Sequence, residues 1–237
     1  MAKKLELTPR LQLLADWVPQ GTRLADIGTD HGHLPVWLSL QGRIVSAVAS
    51  DLRKGPLERA KENGRTYGAQ NIDYRLGNGL GEISSEEVDV IVIAGMGGET
   101  ICSILEEAPW TADGEHTLLL SPHTKAEELR RYLMEHGFEI RREALVYDRG
   151  TIYPVMEVVA GRMELSLGQL WGGAKLAKDP LGDQYMIEKM IRLFGAVAGL
   201  NRSDRPADLE KANHLRDILT ELIFMREEWR HANRPRN

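Results

Sequence analysis

The sequence predicts an α/β fold, a mostly parallel sheet flanked by helices, followed by a separate helical hairpin. Three observations predict it. Short apolar strand patterns alternate with helix patterns from Arg23 to His136, and such alternation builds a parallel sheet covered by its connecting helices. Two neighbouring strand patterns, 138–147 and 152–159, have only Asp148-Arg149-Gly150-Thr151 between them, which reads as an antiparallel hairpin. After Gly161 the strand patterns stop and two long apolar stripes at helical spacing take over.

Thr8-Pro9 is a helix start, a hydroxyl cap before proline at the first helical position, and Leu11, Leu14, Ala15 and Val18 follow at helical spacing. Apolar runs predict strands at 23–28, 44–51, 72–76, 88–94 and 117–121. Helices are predicted between them at 34–40, 56–67, 99–107 and 126–136. Gly168, Gly172, Gly173 and Pro180 predict a loop. Beyond it, Met186, Ile187, Met190, Ile191, Phe194 and Val197 form one stripe, and Leu209, Ala212, Leu215, Leu219, Leu222, Met225 and Trp229 form a second. The connector from Gly199 to Pro206 can reverse the chain, so the two helices are expected to pair as a short antiparallel coiled coil. Two domains follow, 1–161 and 162–237.

With 237 residues, 42% of them hydrophobic and 27% charged, the chain can bury one full α/β core and a smaller appendage. The single cysteine, Cys102, excludes an intrachain disulfide framework and multi-cysteine metal sites, and makes a reducing cytoplasm the expected compartment. The opening MAKKLELTPRLQLL is interrupted by Glu6, Pro9 and Arg10, which does not read as a signal peptide. No apolar run approaches the roughly 20 residues a membrane span needs. The net charge of −5 is unevenly placed: residues 1–161 hold 17 Lys+Arg against 24 Asp+Glu (−7), whereas 162–237 hold 13 against 11 (+2). A polyanionic partner would meet the tail. His31, His33, His116, His123 and His136 do not fall at metal-ligand spacing and no Ser-His-Asp set is apparent, which sets metalloenzymes and hydrolases aside.

The chemistry concentrates in four segments. Leu24-Ala-Asp26-Ile-Gly28-Thr-Asp30-His31-Gly32-His33 runs from a strand into a glycine-punctuated turn, where Gly28 lets backbone approach a ligand. The dinucleotide fingerprint GxGxxG is absent, and Asp26 and Asp30 would repel a pyrophosphate. A cofactor with a cationic head fits better, and S-adenosylmethionine offers an ammonium and a sulfonium. Asp30 could alternatively serve only to cap the next helix. Asp51, at the tip of the second strand and 25 residues after Asp26, is placed to accept hydrogen bonds from both ribose hydroxyls. Leu52 beside it could rest on the adenine or belong to the core. Gly77-Asn78-Gly79 follows the third strand, and Asn78 can present its amide to the adenine edge while Gly79 allows a close fit. The fourth strand opens into Ala94-Gly95-Met96-Gly97-Gly98-Glu99. Enzymes that methylate an exocyclic amine place Asp or Asn with Pro-Pro and an aromatic residue there. This loop has no such oxygen. A ring nitrogen with a free lone pair needs only positioning and a dry pocket, which backbone amides and a flexible Met96 supply.

A five-stranded parallel sheet ending in an antiparallel pair is the pattern of class I methyltransferases with their Rossmann-like sheet. The combination of DIGTDHGHLP, Ser50-Asp51, GNGL at 77–80 and VIAGMGG at 92–98, with Leu129–Gly137 and Ile152-Tyr153, resembles the bacterial tRNA (adenine-22-N1)-methyltransferases over roughly residues 5–230. The resemblance implies S-adenosyl-L-methionine as cofactor, held by Asp26, Gly28, Asp30, His31, Asp51, Leu52, Asn78, Gly79, Ala94 and Gly95. It implies that the Gly95–Gly98 loop faces the target adenine, with Met96, Gly97 and Asp30 at the reaction and Gly98 against the substrate. Arg10 stands where the family keeps an arginine in its first helix, and is assigned to substrate. Many members carry Gln-Pro after the fifth strand, whereas this chain has Ser121-Pro122-His123, so a base contact from that loop does not carry over.

On this reading 1–161 binds cofactor and catalyses, and 162–237 clamps tRNA through Lys175, Lys178, Lys189, Arg192, Arg202 and Arg205. Asp30 is the candidate to stabilise the cationic product base. No membrane or metal partner is expected, and the protein is expected to act as a monomer. A methyltransferase for a small molecule or protein would need no basic tail, and an RNA-binding or docking module would lack cofactor affinity.

Overall fold

The structure, a computed structural model, describes residues 5–234. In chain order its main elements are α1 (Pro9–Trp17), β1 (Thr22–Ile27), α2 (His33–Leu40), β2 (Ile44–Asp51), α3 (Lys54–Tyr67), β3 (Ile72–Leu76), β4 (Val90–Ala94), α4 (Gly98–Glu106), β5 (Thr117–Ser121), α5 (Ala126–Glu135), β6 (Phe138–Asp148), β7 (Thr151–Ala160), α6 (Leu167–Gly172), α7 (Gly182–Leu200) and α8 (Pro206–Ala232). They fall into two compact units, Met1–Arg142 with Val146–Met163, and Glu143–Leu145 with Glu164–Asn237.

The first unit begins as its sequence dictates: Thr8 caps α1 by accepting from the Leu11 N–H at 3.4 Å, with Pro9 at the first helical position. The sheet order is β3-β2-β1-β4-β5-β7-β6. β1 through β5 pair in parallel, and β7 runs antiparallel to β5. Strand order therefore reverses between β1 and β4. That switch point leaves a crevice beyond the strand carboxyl ends, where open α/β sheets bind ligands. The central strands read as unbroken apolar runs because both faces are covered. Val90 and Val92 of β4 join Leu14, Ala15, Val18, Leu24, Leu34 and Leu38 in one core cluster, while Ile91 and Ile93, alternating with them, point to the opposite face and are fully buried as well. Each buried Val, Leu or Ile among them stabilises the fold by roughly 1.5–3 kcal/mol.

Two boundaries differ from expectation for identifiable reasons. β4 starts at Val90 rather than Val88, because Val88 closes a 3₁₀ turn over Ser85–Glu87 and the Asp89 carboxylate is drawn to Arg23, accepting its backbone N–H at 2.9 Å and its Nε at 3.0 Å. The β6–β7 hairpin is tighter than expected, with only Arg149 and Gly150 between the strands. Both have positive φ, 49° and 86°, the pair of left-handed residues that a two-residue type I′ turn requires.

In the second unit, the predicted loop around Gly168 and Gly172 contains a helix instead. Ser166 and Gln169 form a reciprocal capping box at the start of α6. Gly168 and Gly172, four residues apart, present one bare face to α8: a Cβ on Gly168 would come 2.7 Å from Met225 Sδ, and one on Gly172 would come 2.9 Å from Leu222 Cδ2. Helix α7 is rotated relative to the expected stripe. Met186, Leu193 and Val197 are buried with Leu215, Ile218, Leu219 and Leu222 of α8, whereas Ile191 and Phe194 are 65% and 53% exposed. The 186, 190, 193, 197 set keeps alternating spacings of four and three, the heptad seam of paired helices, and that longer register wins. Leu209 is likewise exposed. Arg226 donates to Asp183 at 2.7 Å, and Trp229 Nε1 donates to the Asp179 carbonyl at 2.9 Å, which ties the end of α8 to the start of α7. Among the described residues no helix is long and apolar enough to cross a membrane.

Candidate active site

The crevice at the β1/β4 switch point opens into a cavity of about 530 Å³, within the usual size range of cofactor sites. It is built entirely from the first unit. Its floor is the turn after β1. Gly28 and Thr29 donate their N–H groups to the Ser50 carbonyl at 2.8 and 2.9 Å, which folds the turn back onto β2. Gly28, Asp30 and Gly32 all take left-handed φ, 70°, 51° and 66°. For Asp30 this is a strained conformation, costing on the order of 1 kcal/mol or more. A Cβ on Gly28 would lie 2.3 Å from Met96 Cε, so the bare glycine is what lets the β4 loop approach the β1 turn.

Two buried carboxylates flank this turn. Asp26 at the end of β1 accepts from Thr29 Oγ1 at 2.6 Å. Burial pushes its pKa up to about 6; the Thr29 hydrogen bond opposes that rise and the nearby Asp51 charge adds to it. Asp51 at the tip of β2 accepts one backbone N–H on each oxygen, from Asp30 at 3.2 Å and Arg53 at 2.9 Å. Each oxygen keeps a second lone pair for a ligand. Leu52 lines the cavity but is 67% exposed, so it is no core residue. Asp30 does not cap α2. The N-cap position is Gly32, with no side-chain capping bond, and the Asp30 carboxylate instead lies 3.6 Å from His31 Nε2 at the rim. The rings of His31 and His33 stack with centroids 5.5 Å apart, and burial, then His31, lowers the His33 pKa.

The structure brings together Arg10, Asp26, Gly28, Asp30, His31, Asp51, Leu52, Asn78, Gly79, Ala94, Gly95 and Met96 as walls of one cavity. Gly97 and Gly98 are not among its lining residues. Gly97 pairs with Thr124, and the Gly98 N–H donates to the Thr124 carbonyl at 2.8 Å. A Cβ on Gly98 would sit 2.1 Å from the Lys125 carbonyl oxygen. Their bareness serves packing between the β4 and β5 loops. The six basic residues of the tail lie outside this cavity, in the second unit.

Sequence reasoning passed over His123, which lines the cavity at the tip of β5. Its N–H donates to the Met96 carbonyl at 2.8 Å, and its ring meets that of Tyr153 with centroids 5.0 Å apart. Burial, then the neighbouring Arg10 charge, lowers its pKa. The available signal was position, because residues just past the carboxyl ends of parallel strands converge on the crevice whatever their type. Among the described residues no group of three His, Cys, Asp or Glu is placed to hold a metal ion.

The donor set suits a zwitterionic nucleoside cofactor. Paired lone pairs at Asp51 match a ribose diol, a buried carboxylate at Asp26 matches a cationic head, and the Gly28 cradle has no room for a side chain. Residues 7–156 match the model of a methyltransferase domain family. The tRNA (adenine(22)-N(1))-methyltransferase of Bacillus subtilis strain 168 is 34% identical over 177 residues, 71% of this chain and 74% of that relative. The crystal structure of the B. subtilis M1A22 tRNA methyltransferase superposes with a TM-score of 0.87 at 29% identity, covering 94% of this chain and 100% of that one. Sp1610 of Streptococcus pneumoniae, solved in complex with S-adenosyl-L-methionine, gives a TM-score of 0.82 at 33% identity, covering 93% and 100%. By sequence and by fold, the chain belongs to the tRNA (adenine(22)-N(1))-methyltransferase family.

Proposed function

We propose that the protein transfers a methyl group from S-adenosylmethionine to N1 of adenine 22 in tRNA. The observation that supports this acceptor is the β4 wall of the cavity: Ala94, Gly95 and Met96 line it and place no side-chain oxygen there. An exocyclic amine needs such an oxygen, whereas N1 already holds a free lone pair at neutral pH. The cofactor, when bound, supplies an electrophilic methyl on its sulfonium. Asp51 holds the ribose hydroxyls, Asn78 and Gly79 meet the adenine edge, and Asp26 faces the ammonium. Met96 and Gly95 orient the acceptor nitrogen and keep water out, so that the gain comes from proximity and a dry pocket. Asp30 at the rim stabilises the positive charge that the methylated base acquires. The target base must leave its stack to reach this cavity, costing a few kcal/mol. Binding of tRNA by basic residues of the second unit offsets that cost. Incubating the protein with unmodified tRNA and isotopically labelled cofactor, then digesting at neutral pH for mass spectrometry, should give 1-methyladenosine at position 22. Direct formation of N6-methyladenosine, or label confined to small molecules or protein, would refute the proposal.

A further inference from the structure

Arg10 is the unusual group of the cavity. Its Nε and Nη1 are buried and have no hydrogen-bond partner, although an unpaired buried donor on a charged group is costly. The guanidinium lies over the Tyr153 ring in a cation–π contact, Cζ 4.8 Å from the centroid. Asp148 attracts it electrostatically from nearby. Its Nη2 and His123 Cε1 both approach Gly95: each is 3.9 Å from where a Cβ on that glycine would stand.

The position in the sheet decides what Arg10 serves. Asp51 ends β2 and Asn78 follows β3, on one side of the switch point, and they form the nucleoside half of the cofactor site. Gly95, His123 and Tyr153 follow β4, follow β5 and begin β7, on the other side. Arg10 belongs with this second group, where the acceptor must enter. An aromatic-backed guanidinium with Nη2 beside Gly95 and no partner on Nε or Nη1 is suited to a phosphate, which Nη2 together with either of them can grip in bidentate fashion.

We propose that Arg10, on its Tyr153 platform, binds a backbone phosphate of the extruded tRNA nucleotide while His123 walls the slot that receives the base. This inference rests on the proposed tRNA substrate and adds the residues that seat it. Its test reads binding rather than turnover, using unmodified tRNA transcript and S-adenosylhomocysteine as probes. Arg10→Ala should weaken tRNA binding roughly 10- to 100-fold, the range expected when a charge-assisted hydrogen bond is removed. The slope of log affinity against log salt should fall in magnitude by about 1, as expected when one phosphate is no longer neutralised. S-adenosylhomocysteine affinity, measured by calorimetry, should stay within about twofold of the parent on the same reasoning that no cofactor hydrogen bond is removed. Arg10→Lys should keep the parent salt slope yet bind tRNA more weakly, since a point charge cannot form the fork. It also serves if the alanine variant melts at too low a temperature to assay. Unchanged tRNA affinity and slope in both variants would overturn the proposal, and so would a loss confined to S-adenosylhomocysteine, which would place the cofactor's carboxylate on Arg10. Parent protein that binds tRNA without producing 1-methyladenosine would instead count against the proposed reaction, leaving the Arg10 measurements readable.

Discussion

At the scale of single residues, the site depends on two buried carboxylates. Asp51 has each oxygen engaged by a backbone N–H and a second lone pair of each open to the cavity. Asp51→Ala should weaken S-adenosylmethionine binding by about 1.5–3 kcal/mol, the usual cost of removing charge-assisted hydrogen bonds; an unchanged dissociation constant by calorimetry would remove Asp51 from the ribose. Asp26 carries a pKa raised from 3.8 to about 6, chiefly by desolvation. The native state thus holds the proton more tightly than the unfolded chain, so stability is greatest below about pH 4 as far as this group is concerned and declines as pH rises toward 6. A shift of this size corresponds to roughly 3 kcal/mol of stability forfeited once Asp26 is ionised. Asp26→Asn keeps an acceptor for Thr29 and has no charge to bury. It should melt at a higher temperature than the parent at pH 8, with the difference shrinking toward pH 4. The same variant should bind S-adenosylmethionine more weakly at pH 8, because an ionised Asp26 opposite the ammonium favours the cofactor. Equal melting curves for parent and variant across pH 4–8 would show that Asp26 carries no such desolvation cost.

At the scale of elements, the β4–α4 junction shows a glycine motif that also serves packing. Gly98 opens α4 with its Cα hydrogen against the Lys125 carbonyl, and a methyl there would overlap backbone that cannot swing away. Gly98→Ala should destabilise by about 1–3 kcal/mol, as overpacking does, visible as a lower melting temperature, while S-adenosylmethionine affinity of the folded fraction stays at the parent value. A fully stable Gly98→Ala protein would mean the α4 start can shift. The sequence exposed the alternating elements and the β1, β2 and β3 tips because strand patterns and their glycine turns are local. It could not tell Met96, which reaches over Gly28, from Gly97, which pairs with Thr124, because that depends on the β5 loop some 25 residues on. His123 and Tyr153 were obscured for the same reason: only the sheet order puts β5 and β7 side by side. In the second unit, α6 had a readable capping box at Ser166 and Gln169, yet its two glycines masked it, since glycine signals a loop unless a neighbouring helix needs the space. The rotation of α7 had only the heptad spacing of 186, 190, 193 and 197 to signal it, because Ile191 and Phe194 are as apolar as the residues that α8 covers.

At the scale of the whole molecule, net charge and its placement bear on the partner. The chain is acidic overall at −5, which disfavours unspecific attraction to RNA, so tRNA binding must come from chosen positions. The six basic residues singled out in the tail are not equivalent. Arg205 is engaged with Asp208 at 2.8 Å, and Lys189 lies over the rings of Tyr185 and Trp171 at 5.2 and 5.9 Å. Lys175, Lys178, Arg192 and Arg202 are exposed. Lys178 precedes α7 and Arg202 follows it, so the 19-residue helix between them spreads these charges over roughly 30 Å. That length suits several successive phosphates better than a single anion. Replacing the four exposed residues together by Ala should leave the melting temperature within about 2 °C of the parent, because exposed side chains of this kind rarely matter to stability. S-adenosylmethionine affinity should not change, because these residues lie outside the cofactor cavity. The KM for tRNA should rise, and the slope of log affinity against log salt should drop in magnitude by up to about 3–4, near 0.7–0.9 for each phosphate no longer neutralised. If the variant instead methylates tRNA with the parent KM and the parent salt slope, the second unit does not grip RNA through these residues, and its exposed apolar positions on α7 become the place to look for a protein partner.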